Sequence, residues 1–274
     1  LILFVFKHRH LPGEYMYLIR VRTTLLLACI MSFSVQASSW GYSIGDTSPE
    51  HWGEINNEYK SCQTGVNQSP INIQPTDTSK LGLPILTMQY TDSPVRFQSI
   101  NHTLQATMNS YTPDTLNIDN QLYYLKQLDF HAPSEHTIEG KNYAMELQLL
   151  HKNQQGDTVI VAVMFDVDEP NQAIKNLWQS FPTMEGSNMP IFSPVNINQL
   201  LPDNKVYWRY SGSLTIPPCS ENVTWIVLKT PISLSTEQLE SFRYIVGHMN
   251  NRPLQPLNGR EVEDSQSGNT EILY

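Results

Sequence analysis

Apolar and polar side chains alternate in short runs along this chain, at residues 103–108, 123–131, 144–150, 158–165, 206–210 and 223–228. A period of two sends successive side chains to opposite faces of an extended backbone, so these runs predict strands of one substantial sheet. Helical periodicity is sparse. Residues 171–178 carry it, and Ser235 with Gln238 three positions on makes a capping box that opens a helix over 239–246, stopped by Gly247. The polar stretch after Val262 reads as a solvated tail or a loosely packed end. The pattern therefore predicts a mainly β protein with few helices.

Composition narrows the picture. A chain of 274 residues with 40% hydrophobic content can bury a sizeable core. A formal charge of -9 argues against nucleic acid or an anionic membrane surface as partner, since each would repel a surface of its own sign. Near the N-terminus, Arg20 and Arg22 precede an apolar run over 24–31, and Val35 and Ala37 supply the small residues of a cleavage site. That is the pattern of a secretory signal peptide. The run falls well short of the roughly 20 apolar residues that a membrane span needs. Residues 1–37 are thus read as an N-terminal extension and signal peptide, with Met16 as the candidate true start. Residues 38–274 form the exported domain, periplasmic or secreted, with no membrane attachment after cleavage.

Cleavage would remove Cys29 and leave Cys62 and Cys219 as the mature cysteines. In an oxidising compartment they are expected to pair, the alternative being two free thiols.

The chemistry concentrates on two predicted strands. By strand parity Gln127, Asp129 and His131 share one face, as do Glu146 and Gln148 on the next run. Separate motifs surround them: Trp40-Gly41-Tyr42, Asn67-Gln68-Ser69-Pro70-Ile71-Asn72-Ile73, Pro133-Ser134-Glu135-His136, Gly212-Ser213-Leu214-Thr215 with Pro217-Pro218, and Asn251-Arg252-Pro253 running on to Leu257-Asn258-Gly259-Arg260. Together these resemble the alpha-class carbonic anhydrases of secreted bacterial type, over nearly everything from Trp40 to Arg260. The motifs interlock along the whole mature chain, which favours one domain.

The resemblance implies a large, mostly antiparallel central sheet with short helices outside it. It also implies a zinc cofactor held by three histidines and a reaction converting carbon dioxide and water to bicarbonate and a proton. In this sequence the three zinc positions read Asp129, His131 and Gln148, so only His131 keeps its imidazole. Carboxylate adds negative charge beside the metal, and an amide oxygen is a poor zinc donor, so zinc is expected to be weak or absent. The resemblance further implies that His102 shuttles protons, Thr215 orients the nucleophile and Glu135 accepts the Thr215 hydroxyl proton. Gln127 and Glu146 match groups that orient zinc histidines. Leu150, Val161, Leu214 and Trp225 match the apolar wall where carbon dioxide sits, and relatives of this type also carry cysteines at the positions of Cys62 and Cys219. His136 matches a histidine that is not a ligand, and His151 has the wrong strand parity to replace one.

Three readings follow. One is a carbonic-anhydrase-like protein with hydration lost or severely impaired, whose protein partner the sequence does not name. The second is a working hydratase on an altered Asp129, His131 and Gln148 site. The third is a purely structural secreted domain. Whichever holds, Asp129, Gln148 and Glu146 on one face are expected to form a hydrogen-bonded polar cluster in place of the metal.

Overall fold

A computed structural model describes residues 40–100, 103–108, 113–179, 188–190, 194–247 and 249–265. Residues 1–37, expected above to be an extension and signal peptide and including Met16, lie outside the described residues, as does His102. Among the described residues, thirteen strands form one large sheet. In chain order they are β1 (Ser79–Leu81), β2 (Thr87–Gln89), β3 (Val95–Ile100), β4 (Thr103–Met108), β5 (Thr115–Ile118), β6 (Gln121–His131), β7 (Met145–Lys152), β8 (Thr158–Val167), β9 (Asn188–Pro190), β10 (Tyr207–Ser213), β11 (Glu221–Leu228), β12 (Ile232–Leu234) and β13 (Glu263–Ser265). The spatial order is β9-β3-β4-β6-β7-β8-β11-β10-β13-β1, with β12 beside β8 and β5 joining β2 to β6.

The sheet is mixed. Most neighbours are antiparallel, but β8 runs parallel to both β11 and β12, and β13 runs parallel to β1. Such crossovers cannot be read from strand periodicity, because alternation marks a strand without giving its direction.

The predicted helices form where their caps stand. The Asn171 side chain accepts from Ile174 N and opens α3 (Gln172–Trp178), and the Ser235/Gln238 capping box opens α4 (Thr236–Val246), which ends at left-handed Gly247. Two further short helices, α1 (Trp52–Ile55) and α2 (Ser61–Thr64), lie near the start of the domain. No helix among the described residues is long and apolar enough to cross a membrane.

The polar end predicted after Val262 is ordered at its start. Residues 263–265 form β13, and Asp264 and Ser265 are buried. Their polarity is satisfied internally: Asp264 pairs with Lys229, while the Ser265 hydroxyl accepts from Tyr207 N and donates to Tyr207 O. A polar sequence predicts solvation only when its partners are not supplied by the fold.

The two faces of the sheet carry different cores. One packs Leu128, Phe130, Leu147, Leu149, Val161 and Val163 with the α3 and α4 side chains. The other gathers Ile160, Ala162, Met164, Trp225 and Val227, with Leu150 and Leu214 against them. A bulge in β6 adjusts the alternation: Leu150 pairs with Gln127 and His151 with Leu125, leaving Lys126 as the extra residue. Tyr123 and Leu125 before the bulge and Leu128 and Phe130 after it consequently reach the same core despite opposite parity. Cys62 and Cys219 form a disulfide, closing a separation of 157 residues.

Candidate functional site

Strands β6 and β7 place the chemistry side by side. Their register makes Asp129 the partner of Gln148 and His131 the partner of Glu146. All four are buried, as are Glu135 and His136 on the turn after β6. Sequence parity brought these side chains to one face, and the structure brings them together there.

Each is held by specific donors. Gln127 Nε2 lies 2.7 and 2.8 Å from the two Asp129 carboxylate oxygens. His131 Nδ1 donates to the Asn250 carbonyl at 2.6 Å, which in the neutral ring leaves the lone pair on Nε2. Glu146 accepts from the backbone N–H groups of Glu135 and His136, both at 2.9 Å, and from His136 Nδ1 at 2.9 Å. His136 Nε2 meets the Tyr210 hydroxyl at 2.7 Å, so both ring nitrogens are occupied and neither is left for a metal.

Gln148 makes one contact that the sequence led us to expect, to Glu146, and one that it did not, to Glu135. Its amide nitrogen donates to Glu135 Oε2 at 2.7 Å and to Glu146 Oε1 at 3.0 Å. An amide has two N–H bonds, and here each goes to a different buried carboxylate. The other Glu135 oxygen accepts from Arg252 N at 2.8 Å. Among the described residues, the hydrogen bonds of Glu135 do not include one to Thr215, which is itself buried. A glutamine three positions before His151 gave no signal of this; only the folded turn brings Glu135 back over β7.

The electrostatics follow. Burial pushes the Asp129 carboxyl up to about 6, against the opposing pull of His131 and the Gln127 hydrogen bond. Burial also works against a charged His131, but Glu135, the Asn250 carbonyl, Glu146 and Asp129 outweigh it and hold the imidazole above its usual value. For Glu146 the burial cost is overcome by His136 and its hydrogen bonds, leaving the carboxyl lowered.

These shifts give a pH dependence. A carboxyl raised from 3.8 to about 6 contributes stability that is full below the unfolded value and is lost as pH rises through the folded one. Asp129→Asn is therefore expected to stabilise the protein above about pH 7, by about 3 kcal/mol at most, and to have little effect near about pH 3. Urea unfolding of both proteins across this range checks it; equal stability at high pH would mean that Asp129 is compensated by a charge, such as a bound cation.

The donor set does not fit tetrahedral zinc. Gln148 turns its amide nitrogen, not an imidazole, to the site, and both Asp129 oxygens are engaged by Gln127. Among the described residues no group of three or more His, Cys, Asp or Glu side chains is arranged to hold a metal ion.

The apolar residues divide. Leu150, Leu214 and Trp225 lie on the same face as the polar cluster. Val161 does not join them: it packs in the opposite core, and Ile160 is the register partner of Leu150. One step along a strand reverses the face, so the residue that sequence reasoning missed here is Ile160. His151 also faces that opposite core, where its Nε2 meets the Tyr90 hydroxyl at 2.7 Å and burial pulls it down to about 4.

The fold and site together describe a mainly β protein whose buried polar centre sits on two neighbouring strands. The family model for eukaryotic-type carbonic anhydrase matches residues 47–266. A carbonic anhydrase of Klebsiella pneumoniae is 48% identical over 241 residues, covering 88% of this chain and 97% of that protein. An alpha-carbonic anhydrase from Thermovibrio ammonificans, solved with sulfanilamide, superposes with a TM-score of 0.79 at 42% identity, over 82% of this chain and 99% of that one. A dioscorin solved with ascorbate gives a TM-score of 0.75 at 29% identity, over 82% of this chain and 97% of that one. The chain belongs to the alpha-class carbonic anhydrase family. That family uses zinc and interconverts carbon dioxide and bicarbonate.

Proposed function

We propose that this protein is an exported, carbonic-anhydrase-like binding module in which carbon dioxide hydration is lost or severely impaired. Asp129 and Gln148 stand at two positions that carry zinc histidines in the family resemblance, and His131 alone remains. The observation that carries the reading is the Gln148 amide, which spends both N–H bonds on Glu135 and Glu146. Its two N–H bonds satisfy two buried carboxylates at once. A dioscorin, whose structure was solved with ascorbate, illustrates the same architecture holding an organic molecule.

The second reading, a hydratase on an altered site, draws support from the retained Thr215 and Glu135 and from His102 in sequence. Metal content separates the two. Protein purified without added metal and dialysed gently is expected to carry at least about tenfold less than one zinc per chain, since losing ligands weakens a site by more than disturbing their supports. Near-stoichiometric zinc by elemental analysis would reverse the preference.

We also read residues 1–37 as a cleaved signal peptide and residues 38–274 as one domain. The Cys62–Cys219 disulfide supports export, because such bonds persist in oxidising compartments.

A further inference from the structure

A separate cavity of about 510 Å3 opens at the start of β6, and no residue of the polar centre lines it. Part of its lining is apolar. Leu122 and Tyr124 share a strand face by parity, with Tyr123 and Leu125 turned into the core behind them. Leu122 is 44% exposed and Tyr124 half-buried, so the fold leaves their large side chains open. Lys126 Nζ stands 5.5 Å over the Tyr124 ring but takes no part in lining the cavity, which leaves the rest of the ring to it. The polar lining comes from the turn between β7 and β8, residues 153–157, which is closed on itself. Asn153 N donates to Asp157 O at 3.1 Å, Asp157 N to Asn153 Oδ1 at 2.8 Å and Asn153 Nδ2 to Asp157 Oδ2 at 2.8 Å, while Gly156 takes the left-handed φ of 94° that the turn requires. At its tip the side-chain amides of Gln154 and Gln155 make no hydrogen bond among the described residues, and Asp157 Oδ1 has no donor there.

We propose that this cavity binds a neutral carbohydrate, one pyranose ring laid against Leu122 and Tyr124 with its hydroxyls directed to Gln154, Gln155 and Asp157. A pyranose has both of the surfaces that this lining matches. Its axial C–H bonds make an apolar face that packs on the negative face of an aromatic ring, and its vicinal hydroxyls each donate and accept. A side-chain amide offers a donor and an acceptor together and a carboxylate oxygen accepts, so the three polar groups can meet a hydroxyl pair in either sense. The lining carries one charge, the Asp157 carboxylate, and no cation, which selects against anions. The volume suits a small saccharide. The turn holds its shape through its own hydrogen bonds, which lowers the ordering cost of binding. The site goes beyond the function proposed above and does not depend on the metal content of the polar centre.

The experiment is an NMR titration of the full-length mature protein with cellobiose, sorbitol and cyclohexanol. Cellobiose has both surfaces, sorbitol has the hydroxyls without a ring face, and cyclohexanol has a ring without hydroxyl pairs. Cellobiose is expected to bind at least about tenfold more tightly than either, with shifts confined to residues 121–124 and 153–157. Tyr124→Ala should weaken it by about tenfold, whereas Tyr124→Phe keeps it within about twofold, because the ring and not the hydroxyl makes the contact. Gln154→Ala with Gln155→Ala should weaken it by about tenfold as well. Melting temperatures equal to the parent's show that the variants are folded, and if Tyr124→Ala falls short of that the glutamine pair alone decides. Sorbitol or cyclohexanol binding as tightly as cellobiose overturns the carbohydrate assignment, as does a double alanine variant with the parent affinity. Shifts centred on Asp129, His131 and Gln148 place the sugar elsewhere and overturn this site, and so does the absence of cellobiose binding. Zinc content, measured separately, bears on the proposed function alone.

Discussion

Replacing Asp129 and Gln148 together by histidine is expected to restore near-stoichiometric zinc and to raise the hydration rate by at least ~1000-fold over the parent. The supports for three imidazoles are in position. His131 already donates Nδ1–H to the Asn250 carbonyl, leaving Nε2 as a lone pair. Gln127 contacts residue 129 through its amide, and the amide can present its oxygen to an imidazole N–H once the carboxylate is gone. Glu146 contacts residue 148 directly and can accept from an imidazole there. Removing Gln148 also frees Glu135 Oε2 of the amide that now donates to it. Each single substitution should gain far less. Asp129→His leaves the Gln148 amide tying the carboxylates together, and Gln148→His leaves a carboxylate whose charge makes bound water less acidic. Stopped-flow assays with zinc measured on each preparation decide the matter. Rapid turnover by the parent defeats the premise, and a double variant that binds zinc without activity shows that the cavity has diverged beyond its ligands.

Opening the disulfide should be the most costly change to stability. Cys62→Ala with Cys219→Ala is expected to lose about 5 kcal/mol, because the bond closes a loop of 157 residues and restricts the unfolded chain accordingly. The bridge also anchors a tight region. The Cys219 carbonyl accepts from Gln68 Nε2 and the Cys62 carbonyl from Arg252 Nη2, both at 3.1 Å, while Arg252 N holds Glu135. Loosening it should therefore disturb the Thr215 segment, which leads into Cys219, before the rest of the sheet. Urea unfolding of the variant against the oxidised parent gives the loss, and hydrogen exchange maps where it starts. A change below about 1 kcal/mol would mean that the unfolded chain is already restricted by residual structure.

Much of the fold was legible because alternation and caps are local. The face shared by Asp129 and His131 followed from parity alone, and α4 from the Ser235 and Gln238 pair. What escaped depends on chain crossings. The bulge at Lys126 shifts parity in the middle of a strand, which no periodicity reports. Val161 was placed one residue from Ile160, enough to move it to the other core. The strand at 263–265 owes its burial to partners on β10 and to Lys229, all distant in sequence. At the site, residue identities were readable and hydrogen-bond direction was not: the Gln148 amide oxygen invited comparison with a metal ligand, whereas the amide nitrogen makes the contacts.

That amide couples the two altered positions. On the proposed reading, Glu135 and Glu146 are two buried carboxylates left without a nearby zinc ion, and Gln148 donates to both at once. Changing Gln148 first removes this donor before any metal can bind well; changing Asp129 first gains one imidazole without clearing the second obstacle. On that reading either single substitution leaves one obstacle in place, so residues 129 and 148 behave as a coupled pair whose effects on zinc binding are expected to be non-additive.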